Sequence, residues 1–325
     1  MSNPRKHLIL CVFVLLLIPS LTACRHQSTE VPSVDVATDP VNTALNPVQE
    51  ANIDAKDQGL LRRYNWTATF LINSWDECLP QKLSYRLGDY PTNLYWAYNN
   101  ELAKDIGLDI EPYLGQEVSI RLYKIAEDMP DFMNPQRANG RATIIRSGEK
   151  IIGAWLDVGR HSGQSCSLSS KSWERASGQT WEEWIANTLE RDDPELTRIA
   201  ALTPEQVVSE YYAALDQHGL EGTLRFRTIW SLRSYLSSNM DDTLIYIPKL
   251  SDTFGYDNIL AAKLLHIEPY SPADAIPGKV CFAVTVDLRV KEIITHDDGP
   301  ATFYIFLEEE IPGTGWRIAS INTGA

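Results

Sequence analysis

Cysteine, histidine and basic side chains are all scarce in this sequence. Five cysteines in 325 residues are too few for a disulfide scaffold, so an ordinary apolar core must hold the fold. Lys and Arg number 29 against 43 Asp and Glu, a formal net charge of -14. A phosphate backbone is bound through clustered Lys and Arg, so no nucleic-acid partner is expected. The six histidines form no paired motif such as H-E-x-x-H. Asp241-Asp242 and Asp297-Asp298 lack the ligand spacing of a calcium loop. Neither a metal nor a cofactor is expected. No apolar run reaches the ~20 residues that a helix needs to cross hydrocarbon. What remains is a chain of 44% hydrophobic and 22% charged residues, an ordinary globular composition of a length that suggests about two domains.

The most informative stretch is the first. Arg5, Lys6 and His7 precede an apolar run from Leu8 to Ile18, Pro19 and Ser20 end it, and Leu21-Thr22-Ala23-Cys24 follows. Basic head, short apolar run and small-residue site are the parts of a secretory signal. Leu21-Thr22-Ala23-Cys24 also resembles the lipobox of bacterial lipoproteins. The resemblance implies a signal peptide over 1–23, lipid attachment at Cys24 through diacylglycerol and palmitate, and a mature chain on the extracytoplasmic face of the bacterial cell membrane. Two acyl chains anchor stably where one does not. Loss of Arg5 and Lys6 moves the formal charge from -14 to -16. Anionic headgroups repel such a body, so lipid rather than a basic patch makes the membrane contact.

Residues 24–57 carry Pro32, Pro40 and Pro47 among polar residues without sustained periodicity. They read as a disordered tether. From 58 to 190 the pattern is α+β. Leu60 to Tyr64 resembles a helix end, and Trp66 to Ile72 alternates like a strand. Leu94, Tyr95, Tyr98, Leu102 and Ile106 recur at helical spacing, and Val118, Ile120 and Leu122 alternate. Ala142 to Arg146 and Ile151 to Val158 flank a Ser147-Gly148-Glu149 turn. Thr180 with Glu183 makes a capping box. A second α+β region, 195–325, opens on Thr203-Pro204-Glu205-Gln206, with a Thr cap and Pro at the first helical position. Four strand-like runs follow: 261–266, 280–293, 301–309 and 316–321. Helices first and antiparallel strands last is an α+β order, and this second region is expected to fold on its own.

Thr203-Pro204-Glu205-Gln206-Val207-Val208 with Tyr211-Tyr212, the long strand pair and the closing Gly315-Trp316-Arg317-Ile318 resemble the nuclear-transport-factor-two-like fold. That resemblance implies a cone-shaped domain of helices packed on a curved antiparallel sheet around a pocket. The ending through Asn322-Thr323-Gly324 is similar to an uncharacterised lipoprotein domain family that closes on Gly-Thr-Gly, with Asn322 in the first Gly position. The first region resembles a second uncharacterised family through Leu60-Leu61 to Asn65-Trp66, Leu114-Gly115-Gln116-Glu117-Val118 and Lys150-Ile151-Ile152-Gly153. It departs from that family at Asn65 and Ala154, where Gly is usual. None of these motifs is catalytic.

His161 lies five residues before Cys166. The pair reads as a polar loop rather than a nucleophile site, since no orienting Asn or Asp accompanies it. His266 and Asp287 fall on strands of the second region, where a pocket-facing couple would supply acid and base. Neither residue is assigned catalysis. Cys78 and Cys166 both follow strand-like segments of the first region, and a disulfide between them is expected; Cys281 reads as a buried free thiol. Seven of nine tryptophans lie between Trp66 and Trp184 and read as core rather than as an exposed platform. The composition and pattern thus favour a non-enzymatic envelope protein that binds a ligand or partner. A cell-envelope hydrolase or isomerase working in the cone pocket is the alternative, and an assembly factor without a small-molecule site is a third.

Overall fold

The computed structural model describes residues 53–133, 140–158, 165–232, 258–271, 277–293 and 296–323. Cys24, the signal peptide, His161, Asp241 and Asp242 lie outside the described residues. Val48–Ala325 make one compact, self-contained unit, built from two antiparallel sheets and the helices that cover them.

The first helix, α1 (Ala55–Arg63), starts inside the stretch read as tether, because Asp54 caps it by accepting from the N–H groups of Lys56 and Asp57. Its end explains one departure from the family pattern. Asn65 has φ of +65°, and the Trp66 N–H returns to the Leu61 carbonyl at 3.0 Å. This is a left-handed helix stop, where Asn is the usual substitute for Gly.

β1 (Ala68–Cys78), β2 (Glu117–Ile125), β3 (Arg141–Ser147), β4 (Lys150–Asp157) and β5 (Ser165–Cys166) form one sheet in sequence order. Both of its faces are covered. Leu60, Leu61 and Trp66 pack with Ala142, Ile144, Ala154 and Leu156 on one side. On the other, Leu94, Trp96 and Leu102 of α2 (Thr92–Lys104) join Val118, Ile120, Ile145 and Trp155. The central strand β3 is therefore buried along nearly its whole length.

Charges enter this interior only in satisfied groups, as burial demands. Asp57, fully buried, accepts from Arg146 Nε at 2.9 Å and from the Tyr123 hydroxyl at 2.7 Å. Arg121 Nη1 lies 3.2 Å from the same carboxylate. Arg141 and Asp157 form a second buried pair on the α2 side.

α3 (Trp173–Ser177), α4 (Trp181–Thr188) and α5 (Pro194–Ala200) connect the first sheet to the second. The capping box read at Thr180 and Glu183 is present. So is the one at Thr203 and Gln206, which opens α6 (Pro204–Thr223). Gly219 kinks this helix: its φ of +63° and ψ of -159° interrupt α6, which resumes to Thr223. The short α7 (Ile229–Leu232) follows.

β6 (Ile259–Tyr270), β7 (Lys279–Val290), β8 (Gly299–Glu308) and β9 (Arg317–Asn322) make the second sheet, again in sequence order. Phe282, Val284, Val286, Phe303, Ile305 and Leu307 line its inner face and share one apolar cluster with Val207, Val208, Tyr211 and Leu215 of α6. The alternation along β7 and β8 thus marks the buried face. Trp316 is only partly buried, however, while Arg317 beside it is 3% exposed. Both sheets are open and curved, and the α+β class stands.

Candidate functional site

A cavity of about 100 Å³ lies where α6 passes over one end of the second sheet. The amphipathic spacing of α6 places Tyr211, Tyr212 and Leu215 on its underside, and these contribute the helical wall. Leu288 of β7 and Phe303 of β8 supply the opposite wall, both from inward positions of their strands. Ile259 at the start of β6 and Ile321 near the end of β9 close the sides. Asp216 fixes the helix to the sheet here, accepting the Ala262 N–H at 2.9 Å.

Burial distinguishes floor from mouth. Tyr211, Leu288 and Phe303 are buried, His296 is half-buried and Thr323 is exposed. His296 therefore stands at the mouth. Its ring meets Phe303 edge to face, with centroids 5.5 Å apart. Among the described residues its ring nitrogens have no hydrogen-bond partner. Tyr211 and Tyr212 pack edge to face at 5.1 Å, so the helical wall is largely aromatic.

The residues singled out from sequence fall elsewhere. His266 projects from the outer face of β6, 64% exposed, with Nε2 3.6 Å from Glu268. It pairs in register with Thr285, while Asp287 pairs with Lys263. Asp287 is exposed as well. The His266/Asp287 couple thus does not face the cavity, because both residues occupy outward positions of an alternation whose inward positions are Val284, Val286 and Leu288. His296 was not legible as a site residue. It lies in the hairpin between β7 and β8, and only the three-dimensional turn brings it back over Phe303. That hairpin was legible through Asp297-Asp298-Gly299-Pro300: Asp298 Oδ1 accepts the Val290 N–H at 2.8 Å and Gly299 takes a φ of +107°.

The expected disulfide between Cys78 and Cys166 is not formed. Both thiols are free, as is Cys281. Cys78 ends β1 and Cys166 ends β5, the two outer strands of the first sheet. Four strand spacings, roughly 19 Å across the sheet, separate them, and they also differ in height, Cys78 level with Glu117 and Cys166 in line with Tyr123, against the ~4–7 Å between Cα atoms that a disulfide requires. Burial, reinforced by the nearby Asp157 charge, pushes the Cys166 thiol up to about 12, which leaves it inert. Cys281 is buried on its apolar strand.

A second hollow of about 300 Å³ opens on the first half of the molecule between α2 and α4. Ser84, Glu101, Glu111, Gln179 and Asn187 give it a polar lining. Lys104 already bridges its two carboxylates at 3.1 and 2.6 Å. The tryptophans are mostly core: Trp66, Trp96, Trp155, Trp173 and Trp184 are all buried. Trp230, at 46% exposed, sits at the edge of their cluster against Trp181, 5.3 Å between centroids.

Residues 60–156 match a family described as a domain of unknown function (DUF4830). Residues 205–321 match a second, also a domain of unknown function (DUF4829). The chain therefore combines two uncharacterised domains, and all the cavity residues except Thr323 fall within the second. No curated protein and no solved structure matches the chain.

Proposed function

We propose that this protein is a lipid-anchored, extracytoplasmic component of a bacterial cell envelope that binds a ligand or partner group in the cavity under α6, without catalysis. Leu21-Thr22-Ala23-Cys24 behind a basic head and a short apolar run supports anchoring at Cys24. A helix over a curved four-stranded antiparallel sheet, with a hollow between them, supports the nuclear-transport-factor-two-like reading of 195–325.

The observation that carries the binding reading is the lining of the cavity. Leu215, Ile259, Leu288, Phe303 and Ile321 are apolar, and among the described residues His296 is its one titratable side chain apart from the two tyrosines. General acid–base catalysis needs positioned proton-transfer groups, and the carboxylate nearest in the sequence reading, Asp287, faces the other way. The volume fixes the scale of the occupant. At about 100 Å³ the enclosed space is smaller than the ~150 Å³ that holds a benzene, so part of an occupant of that size stays in the mouth, and a drug-sized ligand, which needs ~300 Å³ or more, does not fit. The occupant is a small apolar group, either a short free molecule or the end of a larger one.

Two experiments separate the halves of this proposal. Cys24→Ala should abolish incorporation of a labelled fatty acid and leave the precursor unprocessed; undiminished labelling would refute the anchor. Benzene added to the 48–325 unit should shift the methyl resonances of Leu215, Leu288 and Ile321 along one saturable curve. Unmoved methyl signals would refute the cavity as a binding site.

A further inference from the structure

The polar groups around the cavity are of one kind. Tyr211, Tyr212, His296 and Thr323 are the polar side chains of the lining, and among the described residues neither a carboxylate nor a carboxamide lines the space. This contrasts with a chain whose formal charge is -14. The acids nearest in sequence do not enter. Asp298 is committed to the Val290 N–H, Asp297 is exposed, and Asp216 is committed to the Ala262 N–H.

Such a lining discriminates between ligand heads. An ammonium drawn into the cavity would lose water with no carboxylate among the described lining residues to replace it, a costly exchange. A carboxylate at the mouth meets the His296 imidazole, which donates an N–H in either tautomer. Charge-assisted hydrogen bonds of that type are the stronger class. The free ring nitrogens of His296 among the described residues leave it able to serve a ligand. The buried apolar floor of Leu288 and Phe303 sets the other end of the molecule.

We infer that the cavity receives a short apolar chain bearing a carboxylate, with the chain against Leu288 and Phe303 and the carboxylate at His296. This rests on the proposed cavity binding and adds the chemistry of the ligand head. The shared chemistry admits a free short-chain acid or a carboxylate at the end of a peptide.

The test pairs isovalerate with isoamylamine, which share a branched five-carbon skeleton and differ in the head. Each is titrated into the 48–325 unit while the His296 ring and the Leu288 and Ile321 methyl resonances are followed. Isovalerate should shift all three along one curve and bind at least about tenfold more tightly than the amine. His296→Ala should bring the ratio of the two affinities close to one, a readout that general weakening would not produce. Equal affinities in the parent protein, or a preference that survives His296→Ala, would overturn the inference. In either case benzene binding would still uphold the cavity reading. If benzene binds and isovalerate does not, the head assignment alone fails; if none of the three probes binds, both fail. A C-terminal valine peptide that competes with isovalerate would assign the peptide source, and failure to compete the free acid.

Discussion

At the scale of single residues, burial decides which groups stay chemically available. Cys78 is exposed, whereas Cys166 and Cys281 are buried, and burial raises both buried thiols above their ordinary value. Since the thiolate is the reactive form, a native sample of the 48–325 unit should take up one equivalent of an alkylating reagent, at Cys78. Denaturation without reductant should raise this to three, as read by mass. Only one equivalent after denaturation would restore the disulfide that the strand order excludes. Asp105 makes a different use of burial. It accepts from Lys171 Nζ at 2.5 Å, from Ser167 Oγ at 2.6 Å and from Ser169 Oγ. Burial alone would raise its carboxyl, but Lys171, Ser167 and Ser169 outweigh it and hold the group below the ordinary aspartate value. A depressed carboxylate contributes stability that is fully present above its unfolded value and is lost as pH falls through the folded one. The melting temperature of the parent should therefore fall more steeply between about pH 5 and about pH 2 than that of Asp105→Asn. Parallel curves would show that the three hydrogen bonds contribute nothing to folding.

At the scale of elements, the pattern of the sequence and the structure agree where the physics is local. Caps at Thr180 and Thr203, the 142–158 hairpin and the alternation of 280–288 depend on neighbours a few residues away, so they were legible. The cavity was not. It joins residues 211–215 to 259, 288, 296, 303 and 321, and periodicity gives the buried face of each element without saying which faces leave a gap between them. The burial of charged residues is hidden for a related reason. Arg146 and Arg317 look like solvated positions of their strands, yet both are 3% exposed; Arg146 is matched by Asp57, a partner 89 residues away. Long-range closeness also sets the role of two glycines before β9. Gly315 has φ of +75° and a Cβ added there would lie 2.5 Å from Ala200 Cα. Gly313 has φ of +81° and open space around it. Gly313→Ala should cost only the left-handed strain, ~1–2 kcal/mol. Gly315→Ala must also push α5 away from the turn, adding ~1–3 kcal/mol of overpacking. Denaturant melts of the two variants measure the difference directly, and equal losses would mean that α5 is not seated on that turn.

At the scale of the whole molecule, the two sheets are not two cores. One apolar cluster runs from Leu79, Trp96 and Trp155 through Trp173 and Trp184 to Val208, Val284 and Ile318. Polar groups reinforce the seam. Glu310 accepts the Ile229 and Trp230 N–H groups, each at 2.6 Å, and the Trp181 indole N–H at 3.3 Å. One side chain thus caps α7 and ties α4 to the loop between β8 and β9. Burial pushes the Glu310 carboxyl up, and these N–H groups act against that rise. Burial likewise lowers Arg317 to about 10, with the Glu310 charge opposing the change. Gly88 of the first region lies where an added Cβ would sit 3.2 Å from the Arg225 Cβ of the second. The matched segments, 60–156 and 205–321, leave out α3, α4 and α5, which carry much of this seam. A domain cut between 190 and 195 would therefore divide a core rather than a linker. Fragment 195–325 would lose the Trp181 contacts of Glu310 and Trp230 and expose the apolar surface that the first sheet's helices cover. Loss of one large buried side chain costs ~3–5 kcal/mol, and each kcal/mol lowers the melting temperature of a domain near 100 residues by about 4–8 °C. The 48–325 unit should melt in one transition with equal calorimetric and van't Hoff enthalpies, and fragment 195–325 should melt at least about 10 °C lower or not cooperatively. Two resolved transitions in the longer chain, or a fragment that melts with it, would show instead that the two uncharacterised domains are independent units joined by a passive seam.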